Sequence, residues 1–329
     1  MILAWSPNPA LDITYTLPKL SLGEVHRVTQ VDRRAGGKGA NVAGALASMG
    51  HHPIAVQPLG GPDAPNFLAD LAARGITAWT VNSSAPTRHC VVVVVGDEAT
   101  VLNEAGVPQP ESVWRELATL VDSHLAGSHL IGSPARAPGV FAACGSLPPA
   151  APDGIVAELT GLAGERGLHT VLDCRGEALR LALERRPSLV KPNRSEAAET
   201  TGHGNAAEAA AALVAMGARA ALVSDGAAGL VLVTAGGTRL RAQPGAVVAG
   251  NPTGAGDALT AALCAALESV PQLPEQADWW ARTLAAGIGW SAAAVAQPTG
   301  GVLDPADVAR HTAAAVVTSL QSGPLPNGD

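Results

Sequence analysis

The chain has 329 residues, 47% of them hydrophobic, with 21 basic residues against 28 acidic ones and a formal net charge of −7. This length and composition predict a globular chain with a large core and exclude an intrinsically disordered one. The acidic balance offers no electrostatic footprint for nucleic acid or for an anionic membrane, so an anionic ligand must meet a local basic cluster.

The cysteines and histidines show no metal-binding or disulfide pattern. Cys90, Cys144, Cys174 and Cys264 lie far apart, and the nine histidines form no HExxH spacing, which is typical of a reduced chain without structural zinc. The N-terminus lacks the charged and apolar regions of a signal peptide, and the apolar tract near 283–296 is too short to span a bilayer. We therefore expect a cytoplasmic protein without membrane helices.

Two regions, 10–34 and 86–106, are strand-like without helices between the strands. The second, CVVVVVGDEATVLNE, is typical of a hairpin that turns at Gly96 and Asp97. Elsewhere, from about residue 36 onward, β-branched runs alternate with helical patterns, which predicts β/α units around a mostly parallel sheet. We therefore expect an α/β core with a small added sheet that covers a cleft as a lid.

Several apolar strands end in polar or glycine residues, as in HTVLDC, PSLVKPN and RAALVSDG. In open α/β sheets, ligands bind at the carboxyl edge of the strands. We therefore expect the functional site at that edge. The last residues, 322–329, are typical of a frayed tail.

The first candidate binding residues lie near the N-terminus. Asp12, in NPALD, can accept hydrogen bonds from two sugar hydroxyls, although an ordinary turn aspartate also explains it. The stretch AGGKGANVA at 35–43 lacks the spacing of a Walker A loop. Gly37 would let a polyol or phosphate approach the backbone, with Lys38 as a point charge and Asn41 as a hydroxyl partner; a glycine turn with a solvated lysine is an equal alternative.

Arg88 enters the predicted lid where a guanidinium could bind a substrate phosphate with two hydrogen bonds. A solvated arginine on an edge strand is the ordinary alternative. The neighbouring His89 is interpreted as structural.

The stretch KPNRSEAAE follows a strand and opens a helix. Asn193 as N-cap and Glu196 three residues later predict a capping box, which is a sufficient structural explanation. The functional alternative is that both side chains hold the water shell of a Mg²⁺ ion that rides on nucleotide phosphates.

The stretch NPTGAGDALTAA at 251–262 leads glycines directly into an apolar helix. Gly254, Ala255 and Gly256 would point backbone N–H groups at an anion, and Asp257 could accept a proton from a nucleophilic hydroxyl. The alternative is that these residues only cap a helix. A dinucleotide-binding motif would need glycine where Leu259 stands, and this mismatch argues against an oxidoreductase.

Together and in chain order, these stretches resemble the PfkB, or ribokinase-like, family of carbohydrate kinases. The matching stretches are NPALD at 8–12, GGKGANVA at 36–43, GSLPP at 145–149, KPNRSE at 191–196, VSDGAAG at 223–229 and NPTGAGD at 251–257. NPALD, Thr87-Arg88 and LNEAG at 102–106 look most like the branch with 1-phosphofructokinases and tagatose-6-phosphate kinases.

The resemblance implies a single ribokinase-like domain over 1–329: a three-layer α/β/α core, with lid strands from 10–34 and 86–106 inserted in it. It implies a phosphosugar substrate with ATP and Mg²⁺, leaves room for a monovalent cation, and implies that two lids can pair in a homodimer, since an open sheet leaves edges to cover. It adds Asn103 to the substrate side, and it assigns to the nucleotide side Lys191, Asn193, Ser224, Gly226 and Gly229.

Departures from the family pattern leave the identity of the sugar open. Ala150 and Ala64 stand where glycine is common, and NPT replaces the more usual NSV before GAGD. Within the kinases, an unphosphorylated sugar or a nucleoside is the alternative substrate. Outside them, the alternative is a sugar-phosphate sensor without catalytic activity; the intact Gly254–Asp257 stretch argues against it, because a sensor needs no base.

Overall fold

The computed structural model describes residues 1–96, 98–127, 139–250, 253–297 and 299–320. The strands are β1 Ile2–Trp5, β2 Ala10–Leu17, β3 Gln30–Gly36, β4 Pro53–Gly60, β5 Thr77–Ser83, β6 Arg88–Val95, β7 Glu98–Asn103, β8 Val140–Cys144, β9 His169–Asp173, β10 Leu189–Val190, β11 Ala220–Ser224, β12 Leu230–Thr234, β13 Arg239–Gln243 and β14 Val316–Ser319. The helices are α1 Lys38–Ser48, α2 Ala64–Ala73, α3 Glu111–Gly127, α4 Ile155–Glu165, α5 Gly176–Leu183, α6 Arg194–Thr201, α7 Ala206–Ala215, α8 Ala255–Leu267, α9 Ala277–Val295 and α10 Pro305–Ala314.

The main sheet has ten strands in the order β14-β13-β12-β11-β10-β9-β8-β1-β4-β5. The neighbouring strands pair in parallel along the series β11-β10-β9-β8-β1-β4-β5, and β12, β13 and β14 add antiparallel strands next to β11. The apolar runs and the alternation of strands with helices predicted a mostly parallel sheet, and this prediction is confirmed.

Helices cover both faces of this sheet. Because side chains alternate along a strand, neighbours in β4 face opposite ways: Ala55 joins one core cluster and Val56 the other. The first cluster contains buried residues of α1, α2, α8, α9 and α10, and the second contains buried residues of α3 to α7. The predicted three-layer α/β/α arrangement is therefore confirmed.

A second sheet has four strands in the order β3-β2-β6-β7. Strands β2 and β6 are parallel, while β3 and β7 pair antiparallel at the two edges. These strands come from the two regions predicted to form a lid, although β3 runs to Gly36, beyond the predicted limit at 34. Gly96 has a positive φ of 58° at the predicted hairpin turn, while Asp97 and the tail at 322–329 lie outside the described residues.

The two sheets meet at the carboxyl edge of the main sheet. Strands β9 and β11 end there at Asp173 and Ser224, and the chain leaves β10 at Lys191. Within the described ranges, no helix is both long and apolar enough to cross a bilayer.

Candidate active site

A cleft of about 540 Å³ lies between the small sheet and the carboxyl edge of the main sheet. The structure brings to it most of the residues predicted for the site. They are Asp12, Gly37, Lys38, Asn41, Arg88, Asn103, Lys191, Asn193, Glu196, Ser224, Gly254, Gly256 and Asp257.

Asp257 lies in the first turn of α8 and is 7% exposed. Helix α8 begins after Gly254, whose φ of 86° is in the left-handed region that favours glycine. The carboxylate accepts a hydrogen bond of 3.0 Å from Asn41 Nδ2. Its hydrogen-bond partner is therefore on α1, so capping of α8 is not a sufficient explanation for this acid.

The Asn41 side chain also lowers the pKa of Asp12, so one amide acts on two carboxyl groups, of which Asp257 is buried and Asp12 is half-buried. Burial raises the pKa of Asp257 to about 6, against the opposing effect of the Lys38 charge. Burial also raises the pKa of Asp12 to about 7, and the Asp257 charge adds to that effect. Asp257 therefore ionises near neutral pH, where a general base is most effective.

The glycines of GGKG make room for Asp12. A Cβ built on Gly36 would lie 2.0 Å from Asp12 Cγ, so only glycine allows this close approach. Gly37 has a φ of 79° and immediately precedes α1, and its backbone hydrogen bond lowers the Asp12 pKa in part. The sequence analysis missed Gly36, although its place in the glycine run was the available signal.

Lys38 is not a freely solvated lysine. Its Nζ lies 2.9 Å from Asp173 Oδ1, and Lys191 Nζ lies 3.2 Å from Asp173 Oδ2. Thr260, one turn beyond Asp257 on α8, donates a hydrogen bond of 3.0 Å to the same Oδ2. Sequence reasoning missed Asp173 as a site residue, although it is the polar residue that ends the apolar run HTVLD.

Arg88 lies on β6, between β2 and β7. The interpretation of Arg88 as an edge-strand arginine is therefore wrong. Its guanidinium donates hydrogen bonds to the carbonyl oxygens of Asn8, at 3.2 Å, and Glu104, at 2.7 Å. These contacts fix its orientation at the cleft, and Asn103 at the end of β7 lines the same cleft.

Asn193 and Glu196 form the predicted capping box. Asn193 Oδ1 accepts from the Glu196 N–H, and Glu196 Oε2 accepts from the Asn193 N–H, both at 2.9 Å. Both residues also line the cleft. Across the described part of the chain, no cluster of three or more acidic, histidine or cysteine side chains could hold a metal.

A second cavity of about 390 Å³ adjoins the cleft and shares Ser224 and Gly256 with it. Gly226 and Ala255 line this cavity together with apolar side chains. The apolar members include Leu230, Val247, Val248, Leu259, Ile288 and Val295. This lining suits an apolar group of a ligand, and Ala255 and Gly256 place the cavity beside the N-terminus of α8.

The structure does not bring Gly229 to either of these cavities. Its φ is 92°, and a Cβ there would lie 2.0 Å from the Ala242 carbonyl oxygen. Glycine is needed at this position because the backbone of β13 approaches closely.

Two sequence comparisons with known proteins point to sugar kinases. Residues 8–301 match the sequence profile of the pfkB family carbohydrate kinases. A 1-phosphofructokinase from Rhodobacter capsulatus is 36% identical over 266 residues, covering 78% of this chain and 81% of that protein.

Solved structures match over nearly the whole chain. Phosphofructokinase-2 from Escherichia coli, in complex with fructose-6-phosphate, has a TM-score of 0.79 at 25% identity, covering 95% of this chain and 98% of that one. Arabidopsis thaliana ribokinase, complexed with ribose and ATP, has a TM-score of 0.67 at 20% identity, covering 94% and 98%. These likenesses confirm the predicted ribokinase-like fold.

The raised pKa of Asp257 predicts that this residue destabilises the folded protein by an amount that depends on pH. Its folded-state pKa of about 6, against an ordinary value of 3.8, means that the folded state holds the proton more tightly between these pH values. Its contribution to the free energy of unfolding therefore falls as pH rises through that window. Relative to the parent, Asp257→Asn should gain on the order of 1–3 kcal/mol at pH 8 and little at pH 4.

Urea unfolding of both proteins at pH 4 and pH 8 measures this difference. A stability gain that is the same at both pH values, or larger at pH 4, contradicts the raised pKa of Asp257.

Proposed function

The chain belongs to the pfkB family of carbohydrate kinases, and on that premise we propose that it transfers the γ-phosphoryl group of ATP to a primary hydroxyl of a ketose phosphate, with Asp257 as the base. The observation that carries this proposal is the juxtaposition, in one cleft, of the buried Asp257 carboxyl, the N-terminus of α8 and the ammonium group of Lys38. A base, an anion site and a positive charge are the groups that such a transfer needs.

The acceptor oxygen bonds to the γ-phosphorus as the bond from that phosphorus to the β–γ bridging oxygen breaks, and ADP leaves. The hydroxyl proton passes to the Asp257 carboxylate. Backbone N–H groups of Gly254, Ala255 and Gly256 stabilise the charge on the transferring group, because the first N–H groups of a helix have no partner within it.

The sugar lies between the lid and α1. Asp12, Gly37, Asn41 and Asn103 orient its hydroxyls, and Arg88 binds its existing phosphate. Two carbonyl contacts already hold the Arg88 guanidinium, so little side-chain entropy is lost when the phosphate binds. We favour fructose 1-phosphate because the relative from Rhodobacter capsulatus is a 1-phosphofructokinase; tagatose 6-phosphate and fructose 6-phosphate are the other acceptors.

The nucleotide lies on the other side of Asp257. The apolar cavity lined by Gly226 suits the base of ATP, and Ser224 and Lys191 lie where its phosphates would reach the cleft. Gly229 supports this side through the close packing of β13 rather than through contact with the ligand.

Glu196 is the residue that would hold Mg²⁺, through water. Glu196 lines the cleft, and its Oε2 accepts the capping hydrogen bond from Asn193, which leaves the second oxygen to accept a hydrogen bond from a metal-bound water. This fits an ion that keeps most of its water. When bound, Mg²⁺ supplies positive charge against the nucleotide phosphates.

The first test of this function is the replacement of the base. Asp257→Asn keeps the shape of the side chain but cannot take the proton, so kcat should fall by about 10²- to 10⁴-fold while ATP binding is retained. In the parent, kcat/KM should fall below about pH 6 as the Asp257 carboxylate becomes protonated, since its pKa is about 6. Steady-state kinetics and calorimetric titration of ATP measure both; a variant that keeps parental kcat contradicts the assignment of the base.

A second test separates a phosphosugar kinase from a kinase for unphosphorylated sugars or nucleosides. Arg88→Ala should raise KM for a phosphorylated ketose by about 10- to 100-fold, because charge-assisted hydrogen bonds to the phosphate are lost. The matched control is Arg33→Ala, an exposed arginine on lid strand β3. An equal loss with unphosphorylated sugars would show that Arg88 does not bind the substrate phosphate.

We also propose that the chain acts as one kinase domain that pairs with a second copy through the lid. Val101 and Leu102, on edge strand β7, are 41% and 58% exposed, and an apolar sheet edge of this kind is normally covered. Leu102→Asp should therefore shift the protein from dimer to monomer in analytical ultracentrifugation, while Val316→Asp, at the edge of the main sheet, should not. A parent that sediments as a monomer contradicts the pairing.

A further inference from the structure

We propose that Asp173 is a positioning residue of the phosphoryl-transfer site: its carboxylate fixes the ammonium groups of Lys38 and Lys191 at the cleft and ties them to α8, the helix that carries Asp257. This inference rests on the proposed function of the cleft. It assigns a role to an acid that belongs to none of the glycine-rich or capping stretches of the sequence.

Asp173 is placed to connect four separate parts of the chain. It ends β9 and is 1% exposed. One carboxylate oxygen binds Lys38, at the start of α1, while the other binds Lys191, after β10, and Thr260, on α8. A single buried side chain therefore joins the sugar side of the cleft, the nucleotide side and the helix of the base.

The choice of lysine at these positions is informative. The chain has 21 basic residues but only three lysines, Lys19, Lys38 and Lys191. Two of the three bind Asp173. A lysine offers a compact charge whose three donors can bind a carboxylate and a second anion together, whereas the planar guanidinium of arginine is suited to paired contacts.

The charges also require a counter-ion. The Lys191 side chain is 4% exposed and that of Lys38 is 38% exposed. Burial of an ammonium group favours the neutral amine unless an opposite charge lies close by. With Asp173 ionised, its carboxylate neutralises one of the two ammonium charges, so these three groups together keep one positive charge on the side of the cleft proposed to receive phosphates.

The ionisation of these groups agrees with this arrangement. Burial opposes the charge on Asp173, but Lys191 and Lys38 outweigh it and lower its pKa to about 2. In turn, the Asp173 charge is the largest effect on Lys38 and raises the pKa of that amine. The Asp173 charge also contributes to the raised pKa of Asp257.

The charged and titratable groups around this cluster come from several elements. They are Lys38 on α1, Lys191 after β10, Asp257 on α8, Glu196 on α6, and the buried thiols Cys144 on β8, Cys174 after β9 and Cys264 on α8. Burial raises the pKa of each thiol, so the thiols stay neutral over the pH range of the test.

The test is Asp173→Asn, which keeps the size of the side chain and an oxygen for Thr260 but removes the charge. Lys38 should then lose its proton at a lower pH, so that kcat/KM falls at alkaline pH where the parent is still active. The acid limit set by Asp257 should move to lower pH as well. A merely structural role would lower activity without moving either limit. At pH 7 we expect a loss in kcat/KM of at least about tenfold, with fructose 1-phosphate and ATP as substrates.

The matched control is Thr260→Val, which removes the hydroxyl that contacts Asp173 and the Gly256 carbonyl oxygen but keeps all the charges. Its kcat/KM should fall while both pH limits stay at the parental values. If Asp173→Asn and the parent share the same pH limits, the positioning role is overturned.

A second measurement does not depend on turnover. Brief acetylation with acetic anhydride at pH 9, followed by peptide mass spectrometry, reports the fraction of each of the three lysines that is unprotonated. Lys19, which is exposed, is the internal reference. Lys38 should react at least about tenfold more, relative to Lys19, in Asp173→Asn than in the parent.

Equal Lys38 labelling in the two proteins overturns the proposal, even if no sugar phosphate is turned over and the proposed function fails. Should Asp173→Asn not fold, the parent alone still decides. If Lys38 labels as fast as Lys19 at pH 9, Asp173 does not keep the Lys38 amine protonated, and the proposal is contradicted. Strong protection of Lys38 in the parent supports it.

Discussion

The buried Asp173 carboxylate between two lysine ammonium groups is the interaction on which the cleft depends. A carboxylate that is 1% exposed is stable in the charged form only when opposite charges and donors surround it, and here Lys38, Lys191 and Thr260 supply them. Since these partners lie on different elements, meeting this requirement also brings α1, the end of β10 and α8 to fixed positions around one point. The ion pairs of Asp173 therefore fix the positions of these elements and also compensate the buried charge.

A second buried contact involves Asp257, the residue proposed as the base. Asn41 donates a hydrogen bond to Asp257, and its side chain also lowers the pKa of Asp12. Burial raises both pKa values toward neutrality, and a nearby carboxylate adds to the effect in each case: Asp257 for Asp12, and Asp173 for Asp257. A base that gains its proton near the working pH can take it from an alcohol and return it to solvent, whereas a fully solvated aspartate is too weak. The same burial makes the folded state less stable when Asp257 is charged.

The fold and much of the cleft could be predicted from the sequence because their signals are local. Strand and helix periodicity predicted the layers, and the glycine turn before Asp257 and the capping box at Asn193 each lie within a few residues. The pairing of Asp173 with Lys38 and the link from Asn41 to Asp257 could not be predicted, because they join residues 135 and 216 positions apart. Arg88 was weighed against an edge-strand alternative only because strand order, which places β6 inside the small sheet, is not visible in sequence.

The most direct test of the proposed chemistry is an ATP-consumption assay with Mg²⁺ across fructose 1-phosphate, tagatose 6-phosphate, fructose 6-phosphate, free hexoses, ribose and adenosine, run in parallel with Asp257→Asn. We predict turnover confined to a phosphorylated ketose and lost in the variant. Turnover with only an unphosphorylated acceptor, or binding of a sugar phosphate without any turnover, would contradict the proposed transfer.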